Sequence, residues 1–242
     1  MSMPIMTIVG FGAMGNRFAR LFSSEMDVRV SSSRNVANEV ADCGASFVSD
    51  RGSALATSDY IFLAVPLQAL PGLIEEVNAV SKKSVVVIDC CSARVAADQA
   101  FCRLHRRHFG VHDVAKGEYC ITGDINPEMT GFFHRQGIKI HCMPAEQHDR
   151  RNAVIGIGHF IGLSLGRFLA EDEKAVLSGM GSGSKVMALV NHFAGTSPAT
   201  WRETQIDNPF TGQERERFIK ALIQYHDALS RGEYPFEQLP NK

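Results

Sequence analysis

The chain has 242 residues, 45% of them hydrophobic and 21% charged, and its 25 Lys and Arg nearly balance 26 Asp and Glu for a formal net charge of -1. That composition belongs to a globular chain rather than a disordered one. The near-zero charge removes the broad attraction on which binders of phosphate backbones or anionic bilayers rely, so neither nucleic acid nor membrane is an expected partner. At roughly 100–200 residues per domain the length fits one large domain or a domain with an appendage.

The first apolar run, Met6 to Gly10, reads as a strand and leads into Gly10-Phe11-Gly12-Ala13-Met14-Gly15 and a helix over Asn16 to Ser24. GxGxxG between a strand and a helix is the dinucleotide-binding pattern. Gly10 permits the tight turn, Gly12 lets the backbone approach a pyrophosphate, and Gly15 lets helix and strand pack closely. The free N–H groups at Ala13 and Met14 face the phosphates with the positive end of the helix dipole. A second strand, Val28 to Ser31, carries no acidic residue about 20 residues beyond the glycines, where one would hold the ribose hydroxyl of NAD. It runs instead into Ser31-Ser32-Ser33-Arg34-Asn35, whose Ser33 hydroxyl and Arg34 guanidinium suit a 2'-phosphate. NADP is therefore the expected cofactor, with NAD as the alternative.

Val36 to Cys43 and Ala69 to Val80 can each put apolar residues on one helical face, and between them Tyr60 to Val65 reads as a strand that exits at Val65-Pro66 along the expected dinucleotide. Val85 to Asp89 is the next strand; Ser92 follows it, at the end of the sheet where open α/β folds hold ligands. His105 and His108, in a basic stretch with Arg103, Arg106 and Arg107, read as a solvated face. A short strand, Phe109 to Val111, would deliver His112 toward the same crevice, where a neutral imidazole suits proton removal from a hydroxyl; on the residues alone a plain surface histidine is an equal reading. Ile138 to Met143 is the last strand. Beyond Pro144 the segments Glu146 to Glu171, Glu173 to Phe193 and Gly212 to Leu229 are helix-like, and Gly232 to Lys242, with Pro235 and Pro240, reads as an irregular tail.

The expected architecture is thus α/β: an N-terminal Rossmann-type doubly wound parallel sheet over residues 1–144, followed by an all-helical domain over 145–242. The apolar stretch Asn152 to Ala170 is broken by four glycines and carries His159 and Arg167, so a buried helix is the better reading than a membrane span. The N-terminus has no basic region or small-residue cleavage site of the kind that marks a signal peptide. The six cysteines form neither a CxxC pair nor a zinc-like spacing, which fits a reducing cytoplasm and no disulfide framework. The nine histidines form no HxH or HExxH pattern, so no metal is expected.

The chain resembles the prephenate/arogenate dehydrogenase family along most of its length. The resemblance runs through GFGAMG, SDYIFLAVPLQAL, VIDCCSARVA, GIKIHCMPAEQHDR, the long helix with His159, and TSPATWRETQIDN, where Pro198, Trp201 and Asn208 keep the family spacing. It implies an oxidative decarboxylation of a cyclohexadienol acid, arogenate or prephenate, with His112 as the acid/base group and Ser92 orienting it near the nicotinamide. It further implies substrate-side roles for His159 and a match of His148-Asp149 to a family pair that opens the long helix, and a homodimer through the C-terminal helices. Two stretches depart from the family pattern. The residues after His112 read Asp113-Val114-Ala115-Lys116-Gly117 instead of Pro-Met and a glycine, and His192 stands where an arginine usually binds a substrate carboxylate; Lys116, Lys185 or Arg202 are the candidate replacements. The competing readings are an oxidoreductase of another small acid, as in β-hydroxyacid dehydrogenases or pyrroline-5-carboxylate reductases, and a non-catalytic NADP-binding regulator.

Overall fold

The computed structural model describes residues 3–233, so the tail beyond residue 233, expected to be irregular, lies outside the described residues. The chain divides into two compact units, Met1–Asp149 and Arg150–Lys242. The strands of the first unit are β1 (Ile5–Val9), β2 (Asp27–Ser31), β3 (Ser46–Phe47), β4 (Tyr60–Leu63), β5 (Val86–Asp89), β6 (Arg107–Ala115), β7 (Glu118–Gly123) and β8 (Lys139–Cys142). They form one eight-stranded sheet in the order β3-β2-β1-β4-β5-β6-β7-β8. From β3 to β6 every neighbouring pair is parallel. This 3-2-1-4-5-6 order is the doubly wound one, with its switch point between β1 and β4. The sheet is not parallel throughout, because β6 turns back through a tight turn at Lys116 and Gly117 to pair antiparallel with β7, and β8 follows β7.

Both faces of the central strands are covered, which is why they read as continuous apolar runs rather than alternating ones. Alternation still sorts the residues: Tyr60 and Phe62 of β4 enter one core cluster, Ile61 and Leu63 the other. The first cluster is aromatic. Phe62 packs 4.4 Å from Phe18, on the helix α1 (Ala13–Phe22), and Phe22 packs 5.3 Å from Phe132. Fully burying each such ring contributes about 1.5–3 kcal/mol. The second cluster takes Leu70, Ile74 and Val77 from one face of the helix Leu70–Val80.

The first unit also contains α2 (Ala37–Ala41), α3 (Arg51–Thr57), α4 (Leu70–Val80), α5 (Arg94–Phe101) and α6 (Pro127–Arg135), and the start of α7 (Ala145–Phe168). The sequence reading missed β3, α3, α5, β7 and α6. Of these, α3 and α6 had capping signals: Asp50 accepts from the Ser53 N–H at 3.1 Å, and Asn126, followed by Pro127 at the first helical position, accepts from the Met129 N–H at 2.9 Å. The expected short strand Phe109 to Val111 is the middle of the nine-residue β6. One expectation is overturned outright, because His108 is no part of a solvated face: its ring stacks on Phe101 at 3.6 Å and its Nε2 lies 2.7 Å from Asp89.

The second unit holds the rest of α7 with α8 (Glu171–Gly179), α9 (Gly183–Ala194), α10 (Pro198–Arg202), a π turn (Glu203–Asp207) and α11 (Thr211–Ser230). The single helix expected over Glu173 to Phe193 is split, since the run Gly179-Met180-Gly181-Ser182-Gly183 has too little helix preference to carry it through. The glycine notches of α7 accommodate neighbours in the same subunit. A Cβ at Gly162 would lie 2.6 Å from the Phe193 ring, and one at Gly166 2.9 Å from Val190. Among the described residues no single helix is long and apolar enough to cross a membrane.

Candidate active site

The turn between β1 and α1 opens onto a cavity of about 650 Å³ at the switch point of the sheet, lined by Gly10, Gly12, Ser33, Arg34, Val65 and Pro66 among others. Each glycine has its own reason. Gly10 has φ +97° and passes so close to β4 that a Cβ would sit 2.3 Å from the Ala64 carbonyl, and a Cβ on Gly15 would sit 2.2 Å from the Gly10 carbonyl. Gly12 differs: a Cβ there would meet nothing within 4 Å, so it would project into open space beside the helix N-terminus. No side chain caps that helix end and no acidic residue lies in its first turn. Ala13 and Met14 begin the helix, leaving the unpaired N–H groups and positive dipole end that a phosphate requires. The cradle therefore fits a dinucleotide. Arg34 reaches back to the Phe11 carbonyl at 3.4 Å, which holds its guanidinium over the glycine turn. Arg51 also lines the cavity, held by Glu76 through two bonds of 2.9 and 2.7 Å; the sequence reading did not single it out.

Below the C-terminal ends of β5 and β6 lies a buried ionic network that sequence reasoning also missed. Arg94 and Asp89 are both fully buried. The guanidinium forks onto Asp89, with Nη2 2.9 Å from Oδ2 and Nη1 bonded to Oδ1, while its Nε donates to Thr122 at 2.9 Å. Burial alone would raise the Asp89 pKa, but Arg94 and His108 outweigh it and hold the carboxyl well below its usual range. Gly110 on β6 makes room for this arginine, since a Cβ there would stand 1.8 Å from Nη2. A glycine inside an apolar strand is the signal that could have revealed the close approach.

On this base stand the chemical residues. The β5–β6 pairing ends at Asp89 opposite Gly110; Ser92 follows the C-terminal end of β5, and His112 lies two residues beyond that last pair, on the part of β6 that pairs with β7. His112 is half-buried, and its Nδ1 lies 3.0 Å from Nε2 of the buried His148. His148 Nδ1 in turn lies 2.8 Å from Asp149. Desolvation first, then the repulsion of a protonated His148 and the charge of Arg94, push the His112 pKa down to about 3. The imidazole is neutral at physiological pH and able to accept a proton. Asp113, standing where the family pattern has proline, pairs with Arg17 of α1. Lys116 is exposed at the tip of the β6–β7 hairpin.

The other two expected residues belong to the second unit. His159 on α7 is half-buried against Phe193 at 4.3 Å and Trp201 at 5.4 Å, its Nδ1 has no hydrogen-bond partner, and burial lowers its pKa. His192 on α9 is exposed, edge-on to Phe193.

Residues 5–93 match a family model described as NADP oxidoreductase, coenzyme F420-dependent. Two solved structures align over nearly the whole chain. A prephenate dehydrogenase from A. aeolicus, crystallised with hydroxyphenyl propionate and NAD+, has a TM-score of 0.80 at 16% identity and covers 96% of this chain and 92% of its own. The fold is that of the prephenate dehydrogenases. Synechocystis arogenate dehydrogenase aligns with a TM-score of 0.65 at 17% identity, over 96% of this chain and 94% of that one. In sequence the chain is 20% identical to a curated protein of Methanocaldococcus jannaschii named "Probable arogenate/prephenate dehydrogenase", over 90% of this chain. The chain spans about half, 55%, of the length of that relative.

Proposed function

We propose that the protein is a cytoplasmic NADP-dependent dehydrogenase that oxidatively decarboxylates a cyclohexadienol acid of the arogenate or prephenate type, in the branch of aromatic biosynthesis that leads to tyrosine. The observation that carries this reading is the neutral His112, two residues beyond the last β5–β6 pair of a dinucleotide-type sheet. Gly10, Gly12, Gly15 and the first turn of α1 would hold the pyrophosphate, Val65 and Pro66 would flank the dinucleotide, and Ser33 and Arg34 would take the 2'-phosphate. When bound, the nicotinamide supplies the hydride acceptor.

His112 accepts the proton of the ring hydroxyl as hydride leaves the carbon that bears it. The ring carboxylate departs as carbon dioxide, its electron pair completing the aromatic ring, and His112 returns the proton to the phenol oxygen. No net proton is released, and aromatisation makes the step effectively irreversible. Ser92 orients His112 and the hydroxyl, and His159, His192 and Lys116 are the proposed substrate contacts. Exposed Val154 and Ile155 on α7 and Leu222 and Ile223 on α11 support a homodimer through the C-terminal helices, which light scattering would detect.

The test is NADP reduction followed spectrophotometrically with arogenate and prephenate side by side. Turnover of either supports the reading and names the substrate. Tight NADP binding with no turnover of either refutes it in favour of a binding protein or an oxidoreductase of another small acid. That second reading is favoured by His192, an imidazole where the family pattern has a guanidinium, and by Arg202, which is tied to Asp207 at 3.4 Å.

A further inference from the structure

The three side chains Asp149, His148 and His112 form a directed chain of hydrogen bonds. Asp149 sits at the N-terminus of α5 and accepts the backbone N–H groups of Arg94 at 2.8 Å and Val95 at 2.9 Å. A carboxylate has only acceptors to offer, so the His148 nitrogen 2.8 Å away, Nδ1, must carry a proton. In neutral His148 the other nitrogen, Nε2, is then an acceptor. Its partner at 3.0 Å, Nδ1 of His112, must donate, and the single proton of neutral His112 is thereby assigned to Nδ1.

We propose that His148 and Asp149 are positioning residues that fix His112 in its Nδ1–H form and so present a bare Nε2 as the base. The two imidazoles meet edge to face, 4.9 Å apart at 89°, an arrangement that aims one ring's nitrogen at the other without stacking. The chain also sets a direction for failure. Protonation of His148 would make its Nε2 a donor, reverse the bond to His112 and move the His112 proton to Nε2, where it blocks the base. The charged groups facing the two rings are Asp149 on α7, Arg94 on α5 and Asp89 on β5.

The assignment is read without substrate, by ¹⁵N NMR of the histidine side chains at neutral pH in the full-length protein. His112 resonances of the Nδ1–H form support it; the Nε2–H form overturns it, whatever acid the protein acts on. The catalytic consequence rests on the dehydrogenase reading and is tested with His148→Leu against His148→Gln. An amide can still donate to Asp149 and accept from His112, whereas leucine can do neither. Loss of tautomer control of this kind in another enzyme lowers kcat by about 10⁴-fold. His148→Leu should lose kcat on a similar scale with KM retained, and His148→Gln should recover part of it. Equal kcat in His148→Leu and the parent protein, or equal losses in both variants, would overturn the positioning role.

Discussion

Replacing Gly12 and Gly10 by alanine, one at a time, separates a glycine kept for a ligand from one kept for the fold. In Gly10→Ala the new Cβ must adopt φ +97° and stand 2.3 Å from a backbone oxygen that has no flexible way to yield. Positive φ costs about 1–2 kcal/mol for a residue with a Cβ, and overpacking adds about 1–3 kcal/mol. A fall of roughly 2–4 °C in Tm per kcal/mol follows for a chain of this size. Gly12 has φ −88° and ψ −160°, which any residue adopts, and its Cβ meets nothing. Its alanine variant loses up to about 1 kcal/mol of N-cap preference and regains about 0.4–1 kcal/mol from a less flexible unfolded chain. Its Tm should barely move. A pyrophosphate lying against that backbone would meet the methyl, at a cost of about 1–3 kcal/mol, or roughly a 5- to 150-fold rise in Kd. Thermal unfolding and NADPH fluorescence titration give both readouts on one sample. Parent-like NADPH affinity in Gly12→Ala, with the fold intact, would refute the phosphate cradle.

Asp89→Asn leaves the buried Arg94 guanidinium without its counter-charge and should destabilise the protein by about 3–5 kcal/mol, measured as a lower urea midpoint. The depressed His112 pKa, about 3, means the folded protein refuses a proton that the unfolded chain takes up near pH 6.5. Its contribution to stability is therefore complete above pH 6.5 and is lost progressively as pH falls toward 3. The His112 ring signals should accordingly stay constant from pH 8 to pH 5 in NMR; a transition near 6.5 would contradict the burial argument. Arg34→Ala should weaken NADPH binding by about 1.5–3 kcal/mol, the worth of a hydrogen bond to a charged group, and leave NADH nearly unaffected; equal losses would remove the 2'-phosphate role.

The central strands and the glycine turn were legible because they rest on local patterns: continuous apolar runs for doubly covered strands, and a GxGxxG whose glycines have distinct neighbours. Ser92 was legible as a residue that follows a strand end, and His112 as one that follows the apolar run Phe109 to Val111, although β6 runs on through it to Ala115. Arg94 was not. Its burial depends on Asp89 five residues earlier, Thr122 on an antiparallel strand and a missing side chain at Gly110, three positions that no periodicity connects. His108 was misread for the same reason, because its neighbours in sequence are basic while its neighbours in space are Phe101 and Asp89. The hairpin strand β7 was hidden by the short turn that reverses the sheet, and the split between α8 and α9 by counting apolar spacing across three glycines.

The fit between Arg94 and Gly110 constrains the order in which the protein can change. A side chain at residue 110 collides with a guanidinium that is anchored on three sides, so no such replacement is tolerated while the arginine stands. Once residue 94 has become small and residue 89 neutral, the space opens, and a substitution at 110 that filled it would bar the arginine from returning. Descendants that took this route could not retrace it one step at a time, and the two lineages would diverge at buried positions with no selection on the cofactor or the acid they use.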